Sequence, residues 1–420
     1  MRVASTWLVL LVGLGLVTPA WAAFDDFSED RAPTRFELLA QGLALVFKGE
    51  LELALWDLEG KGGPGYDSPT DMRTLGTRSP IVEVGAFRLA VRLGIDESLW
   101  VNSVLEMTPR LAYLGAVWVD YREDGPAWLN HHVELGYQVP IVKIDRRTER
   151  YPLIGTIYWR EPELHVAYEA LFRLGAQATI EVGTSLAMMR PLSFKGVQGA
   201  STQAGTINVL SYGPAQSYSG NSPVVGGRVR AELWGAFVDA WAFVGKLAAR
   251  EGTDVLISGF SAYRDLPAFS GESDGGDFHW WGGRVGYAKH GLLAFAEAIA
   301  SREDLLERWG AYGQVSYRFV LGARWLHTLE PLVRYEIYRI LGTTEVLPSG
   351  RALRSPAPIN AVTWDFEAVT LALISEVYRD LLTVRLEYFM VAERNGVPAL
   401  DIADEPLRND ELMLQLELRF

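Results

Sequence analysis

Between Val142 and Pro162 the chain gathers Lys143, Arg146, Arg147, Arg150 and Arg160 against Asp145, Glu149 and Glu161. Five bases against three acids leave this stretch a local charge of +2, in a chain whose formal net charge is -13. Guanidinium groups take phosphate or carboxylate through paired N–H···O bonds, so the chemistry on offer is oxyanion recognition. The stretch follows a strand-like segment that ends at Pro140. Two placements are open. The loop can turn inward and narrow an interior, which makes Lys143, Arg146, Arg147 and Arg150 its constriction. Alternatively it stays outside and meets an acidic surface or water.

A second set of charges recurs at every other residue. Arg88 and Arg92 alternate with Leu89, Val91 and Leu93; Arg228, Arg230 and Glu232 alternate with Val229, Ala231 and Leu233. Arg385 and Glu387 alternate with Leu382, Val384, Leu386 and Tyr388. Lys48, Glu50, Glu52, Glu106, Glu134, Glu163, Glu169, Glu181, Arg318, Arg334, Glu336, Glu417 and Arg419 follow the same phase. A wall built from these faces stays wet and passes polar solutes, and its mixed signs set up transverse fields. The plainer alternative is that the charges pair across adjacent strands.

Catalytic motifs are poor. Gly271-Glu-Ser-Asp-Gly275 matches G-x-S-x-G, but it lies in a Gly/Ser/Asp loop ahead of Phe278-His-Trp-Trp281 rather than on a strand-to-helix turn. His279 is nearby, so a barrel enzyme acting on lipid is the one enzymatic alternative. The six histidines form no His-Glu-x-x-His arrangement and there is no cysteine, so neither zinc nor another cofactor is expected. The net negative charge argues against nucleic acid as a partner.

The elements that must hold these residues are strands. Period-two segments of about ten residues occur at 45–58, 81–93, 98–107, 111–121, 131–140, 163–172, 177–187 and 226–236. They continue at 238–248, 278–288, 291–301, 309–320, 331–340, 363–378, 381–393 and 410–420, making sixteen. Short links, such as Gly94–Glu97, Arg173–Ala176, Lys289-His290 and Arg379-Asp380, mostly alternate with long ones at 59–80, 141–162, 188–225, 249–277, 341–362 and 394–409. The link Thr108-Pro109-Arg110 is short where a long one is due, and 254–263 reads as part of a structured loop. After residue 22 no run reaches the ~18 apolar residues of a spanning helix. The absence of cysteine leaves stability to strand closure and packing. A soluble propeller or sandwich also alternates, but no repeat of fixed period supports a propeller.

Both ends point to export. Met1-Arg2, the apolar run Trp7 to Val17 and Ala20-Trp21-Ala22 form a secretory signal peptide over 1–22, with a mature chain expected from Ala23 and no lipid anchor. At the other end Leu412, Leu414, Leu416, Leu418 and Phe420 share one strand face, opposite Met413, Gln415, Glu417 and Arg419. A last strand closing on Phe resembles that of bacterial outer-membrane β-barrels. The resemblance implies that Leu414, Leu416, Leu418 and Phe420 act as the signal read by the barrel assembly machinery.

Gly136-Tyr-Gln-Val-Pro140 leading into the basic loop, together with Asn409 to Phe420, resembles the phosphate-selective porin O/P family. That resemblance covers mainly residues 111–172 and the last strand. It implies a porin whose third external loop folds into the barrel, and it suggests a homotrimer. The acids interleaved with the bases depart from that family's dense basic ladder. The expectation is therefore an all-β chain: a signal peptide (1–22), a periplasmic extension or plug (23–40), and an antiparallel transmembrane β-barrel of about sixteen strands (41–420). Short periplasmic turns and long external loops would join the strands. Its expected place is the outer membrane, among lipids and lipopolysaccharide. The expected function is a water-filled channel for small polar or charged solutes, including anions such as phosphate. An occluded structural or adhesin barrel and a polysaccharide-export barrel are the alternatives.

Overall fold

The computed structural model describes residues 36–40, 43–60, 81–96, 98–107, 112–138, 141–142, 147–148, 163–189, 192–198, 209–214, 222–246, 277–303, 306–340, 365–378, 381–394 and 407–419. They are strands and their connections. In chain order these are β1 (Phe36–Ala40), β2 (Leu43–Gly60), β3 (Ile81–Gly94), β4 (Leu99–Met107), β5 (Ala112–Asp124), β6 (Leu129–Gln138) and β7 (Glu163–Gly175). Then come β8 (Ala178–Met189), β9 (Leu192–Gln198), β10 (Val209–Pro214), β11 (Ser222–Leu233), β12 (Ala236–Lys246), β13 (Asp277–Lys289) and β14 (Leu292–Glu303). The last are β15 (Leu306–Tyr317), β16 (Phe319–Val320), β17 (Thr328–Ile340), β18 (Asp365–Tyr378), β19 (Leu382–Arg394) and β20 (Leu407–Arg419).

Sixteen of them close into a barrel. Each pairs antiparallel with its sequence neighbour, and the seam is closed by β2 on β20, from Glu50↔Arg419 to Gly60↔Asn409. Closure leaves no open edge, which a strand sheet in hydrocarbon requires. The sixteen alternating segments correspond one to one with these sixteen strands. β9 and β10 pair only with each other, as a hairpin inside the 190–221 connection. Two-residue β16 extends the β15 edge along β17.

β1 is an addition. It pairs with the start of β2, from Phe36↔Phe47 to Ala40↔Leu43, where β20 no longer reaches. The segment 23–40, expected as a separate extension, thus lends 36–40 to the sheet. Residues 1–35, with the expected signal peptide, lie outside the described residues, as do Phe420 and the segments 254–263 and 271–275.

One rim carries the short turns: 95–98, 125–128, 176–177, 234–235, 290–291, 321–327 and 379–381. Two of these are two-residue hairpins with both residues in the left-handed region, Trp234 (φ 54°) with Gly235 (φ 88°) and His290 (φ 54°) with Gly291 (φ 82°). That backbone twist matches the strands and favours Gly at the second position. The sequence reading placed these turns one to three residues away, because Trp-Gly and His-Gly are weak turn signals. At the other rim, 108–111 and 304–305 are short, while the remaining connections are long.

The outward face is apolar. Val225, Val229, Val238, Val285, Val315 and Val333 are each at least half exposed. Trp128, Trp234 and Trp325 stand exposed in the short turns, with Tyr317 and Phe319 beside them. Ringed by interfacial aromatics, such a belt suits lipid rather than water. Polar and charged side chains therefore turn inward, and the interior is where function is to be sought.

Candidate functional site: the inner wall

Because side chains alternate, each strand delivers every second residue to the lumen. On β3–β7 these residues form one connected network. Arg92 donates from Nε to Asn102 Oδ1 at 2.7 Å and reaches Asp120 at 3.4 Å. Arg122 clamps the same Asp120 carboxylate through Nε and Nη2, both at 3.1 Å. His132 stands among three carboxylates, 3.0 Å from Asp120, 3.0 Å from Glu169 and 3.5 Å from Glu134. Gln138 donates to Glu134 at 2.5 Å, and its amide also lies 3.1 Å from His165 Nε2.

Asp120, His132 and Glu134 bring one ligand atom each within 4.8 Å of one another, a spacing that suits a metal ion. The donor set fits poorly. Asp120 is already held by two guanidiniums, whose charge opposes a cation there. We read the group as an ion-pair network.

Further round, arginines continue to find carboxylates on the neighbouring strand. Arg228 is bidentate to Asp239 at 2.9 and 3.0 Å and lies 3.1 Å from Glu181. Arg284 donates to Glu297 at 2.7 Å, which also accepts from the Tyr312 hydroxyl at 3.0 Å. Arg385 meets Glu417 at 2.5 Å and Gln415 at 2.6 Å, and Arg419 also contacts Glu417.

Between these pairs, β11–β14 carry aromatic rings seated on glycines. Phe243 lies over Gly226, Trp241 over Gly282, and Phe237 and Phe295 over Gly286. In every case the ring and the glycine are cross-strand partners in register. A Cβ at Gly226 would sit 2.1 Å from the Phe243 ring, so the glycine is what lets the ring lie flat on the wall. Phe243 stacks on Trp280 at 4.8 Å, and Arg284 lies 5.8 Å from the Trp241 and Phe295 ring centres.

The connection from β6 to β7 enters this interior. Ile141 is buried, its Cδ1 against the inner side of Gly183 on β8. Arg147 and Thr148 are buried too, 7% and 1% exposed, against β17. Arg147 Nη1 donates to Glu330 at 3.4 Å, and Arg334 Nη1 donates to the Thr148 hydroxyl at 2.5 Å. Six barrel strands separate β7 from β17 one way and seven separate β6 from it the other. The contacts therefore lie on the wall opposite the loop's base. That wall is prepared for them. Glu330 also accepts from Ser316 at 2.8 Å and Arg318 at 2.9 Å; Arg334 also donates to Glu336 at 2.6 Å and Thr370 at 3.3 Å.

Of the basic loop residues singled out from sequence, Arg147 alone falls among the described residues. Lys143, Arg146 and Arg150 lie outside them. Arg88, Arg92, Arg228, Arg230, Arg334, Arg385, Glu134, Glu232, Glu336 and Glu387 sit at inward positions, and Arg318 follows the β15 end next to Glu330. Glu163 is the register partner of Gln138. Leu414, Leu416 and Leu418 face outward.

Sequence reasoning did not single out Asp120, His132, His165, Asp239, Arg284, Glu297 or Glu330. Their strand phase was available for most of them. On β14 it was masked, since Ala294, Ala296, Ala298 and Ala300 face outward while Phe295 and Ile299 face inward. Apolar residues on both faces conceal which one holds Glu297.

No family model and no curated protein matches the chain. Solved structures do. OprB of Pseudomonas putida aligns over 90% of this chain and 94% of its own, at 12% identity and a TM-score of 0.58. The outer membrane channel DcaP of Acinetobacter baumannii aligns over 91% and 99%, at 10% identity and a TM-score of 0.52. At such identities the likeness is one of architecture. Together with the closed sheet and the apolar belt, it defines the chain as a sixteen-stranded β-barrel with the fold of bacterial outer-membrane channels.

Proposed function

We propose that the protein is a passive channel for small polar and charged solutes, narrowed by the 141–148 segment. The observation that carries this reading is the inward loop, docked by Arg147 and Thr148 on the polar inner face of β17 inside a closed barrel. Sixteen strands enclose a lumen wide enough for water and solutes. A loop across it reduces the free section without sealing it. Purified barrel inserted into a planar bilayer should give stepwise ohmic currents that scale with salt concentration. A folded, inserted barrel that passes no current would remove the reading.

The finer reading, a preference for phosphate or other anions, rests on the basic loop. Lys143, Arg146 and Arg150 would carry it, since Arg147 is engaged with Glu330. Addition of inorganic phosphate should then block chloride current in the wild type and fail to do so after Arg146→Gln with Arg150→Gln. Equal currents in both proteins argue against it. A second reading, an occluded structural barrel, draws on the near-complete burial of the inner faces of β17–β20, where Arg334 and Glu336 are 0% exposed. Sugar uptake by proteoliposomes separates it from a channel.

A further inference from the structure

Inward carboxylates at equal depth differ in accessibility. Glu181 stands three residues from the short-turn end of β8 and its side chain is 26% exposed. Asp239, three residues from the same end of β12, is 2% exposed, and Glu330, two residues from that end of β17, is 4% exposed. Rim proximity therefore does not explain the contrast. On β5 and β6 the inward groups near this rim are open as well, at 42% for Arg122 and 22% for His132, and Glu169, midway along β7 and level with Gly183, keeps 19%. Higher on β7 and β8 the wall is covered, with His165 and Ala167 buried and Ile141 lying on Gly183. Open polar surface thus lies on the short-turn side of the loop, against β3–β8.

We infer that the conducting lane is eccentric and runs beneath the loop along β3–β8, with Arg122, Glu169 and Glu181 as the residues that set its charge preference. This rests on the channel reading. Among the partly exposed charges of that wall, the two signs are segregated, with the buried Asp120 between the arginines. Arginines come from β3 and β5 (Arg92, Arg122), and glutamates from β6, β7 and β8 (Glu134, Glu169, Glu181). A permeant ion meets both, and partly solvated charges in a narrow lane act on it more than neutralised, buried ones do. On β17–β20 the inward carboxylates Glu330, Glu336 and Glu417 are withdrawn from solvent and contribute little to selectivity.

The chain contains no cysteine, so single cysteines report cleanly. Wild-type conductance is measured first; its absence removes the channel reading and the lane together. In a conducting barrel, Glu181→Cys should lose most of its current to a bulky, membrane-impermeant thiol reagent. Ala372→Cys, on the buried inner face of β18, should be unaffected. Equal block at both positions overturns the lane while leaving the channel intact. Reversal potentials in a potassium chloride gradient give the second readout. Glu169→Gln with Glu181→Gln should lower the potassium-to-chloride permeability ratio several-fold, and Arg122→Gln should raise it. Heat-modifiable migration on a gel confirms that each variant is folded. Unchanged ratios in folded variants overturn the assignment of these residues.

Discussion

The inner surfaces of β3–β8 and of β17–β20 are made of the same kinds of residue and behave differently. Both carry arginines and carboxylates on alternate positions. On the first, Arg122, His132 and Glu181 near the short-turn rim, and Glu169 midway along β7, keep contact with solvent. On the second, Arg334, Glu336, Thr370, Gln415 and Glu417 are at most 1% exposed. At β17 the difference lies in what covers the wall. The crossing loop docks on β17 and leaves the lower part of β5–β8 uncovered. An ion pair in water is worth little, whereas a buried one leaves a costly charge when broken. One composition thus yields a wall suited to solutes and a wall suited to holding a loop.

The contrast makes unequal predictions. Arg334→Met should have the largest effect. It leaves the Glu336 carboxylate buried without its 2.6 Å partner, which costs about 3–5 kcal/mol. Urea unfolding in lipid should show the loss, and a midpoint like wild type would mean that Glu336 is solvated. On the open wall, Glu181→Gln should cost about 1 kcal/mol or less in the same assay. A loss as great as that of Arg334→Met would erase the distinction between the walls.

Glu330→Gln acts through the loop. It weakens the Arg147 contact, so single-channel conductance should rise; an unchanged value would show that Thr148 alone holds the crossing. Gly226→Ala tests the aromatic seats. The new methyl group meets the Phe243 ring, and overpacking of this kind costs about 1–3 kcal/mol. Gln314→Leu should be smallest. Both polar atoms of this 1% exposed amide lack a hydrogen-bond partner, so removing them should be neutral or stabilise by about 1 kcal/mol. A marked loss would indicate that the amide is satisfied by bound water.

Much of this molecule was legible in its sequence. Period-two alternation identified every barrel strand. The phase of the charged residues also placed Arg92, Arg228, Arg334 and Glu387 on the inward side, because a charge facing lipid is excluded. Turn positions were less exact where Trp234 and His290 adopt left-handed backbone without a favoured turn dipeptide. The aromatic seats were not legible. A glycine and a ring become partners only through cross-strand register, as Gly226 and Phe243 do, and register links positions far apart along the chain.

The last strand shows the division most plainly. Its alternation of Leu412, Leu414, Leu416 and Leu418 with Met413, Gln415, Glu417 and Arg419 determines a membrane strand and its two faces, since that follows from local geometry and hydrophobicity alone. That Arg385 is the partner of Glu417, and that β2 closes the seam beside it, was decided by the closed sheet. The basic loop is the sharper case. Its charges could be counted from the sequence, but whether Arg147 faced water, lipopolysaccharide or the lumen could not. Only the folded barrel sets Glu330 and Arg334 opposite the loop's base, where Arg147 and Thr148 can reach them. Alternation is a property of neighbours along the chain, and a contact across the lumen is a property of the whole ring.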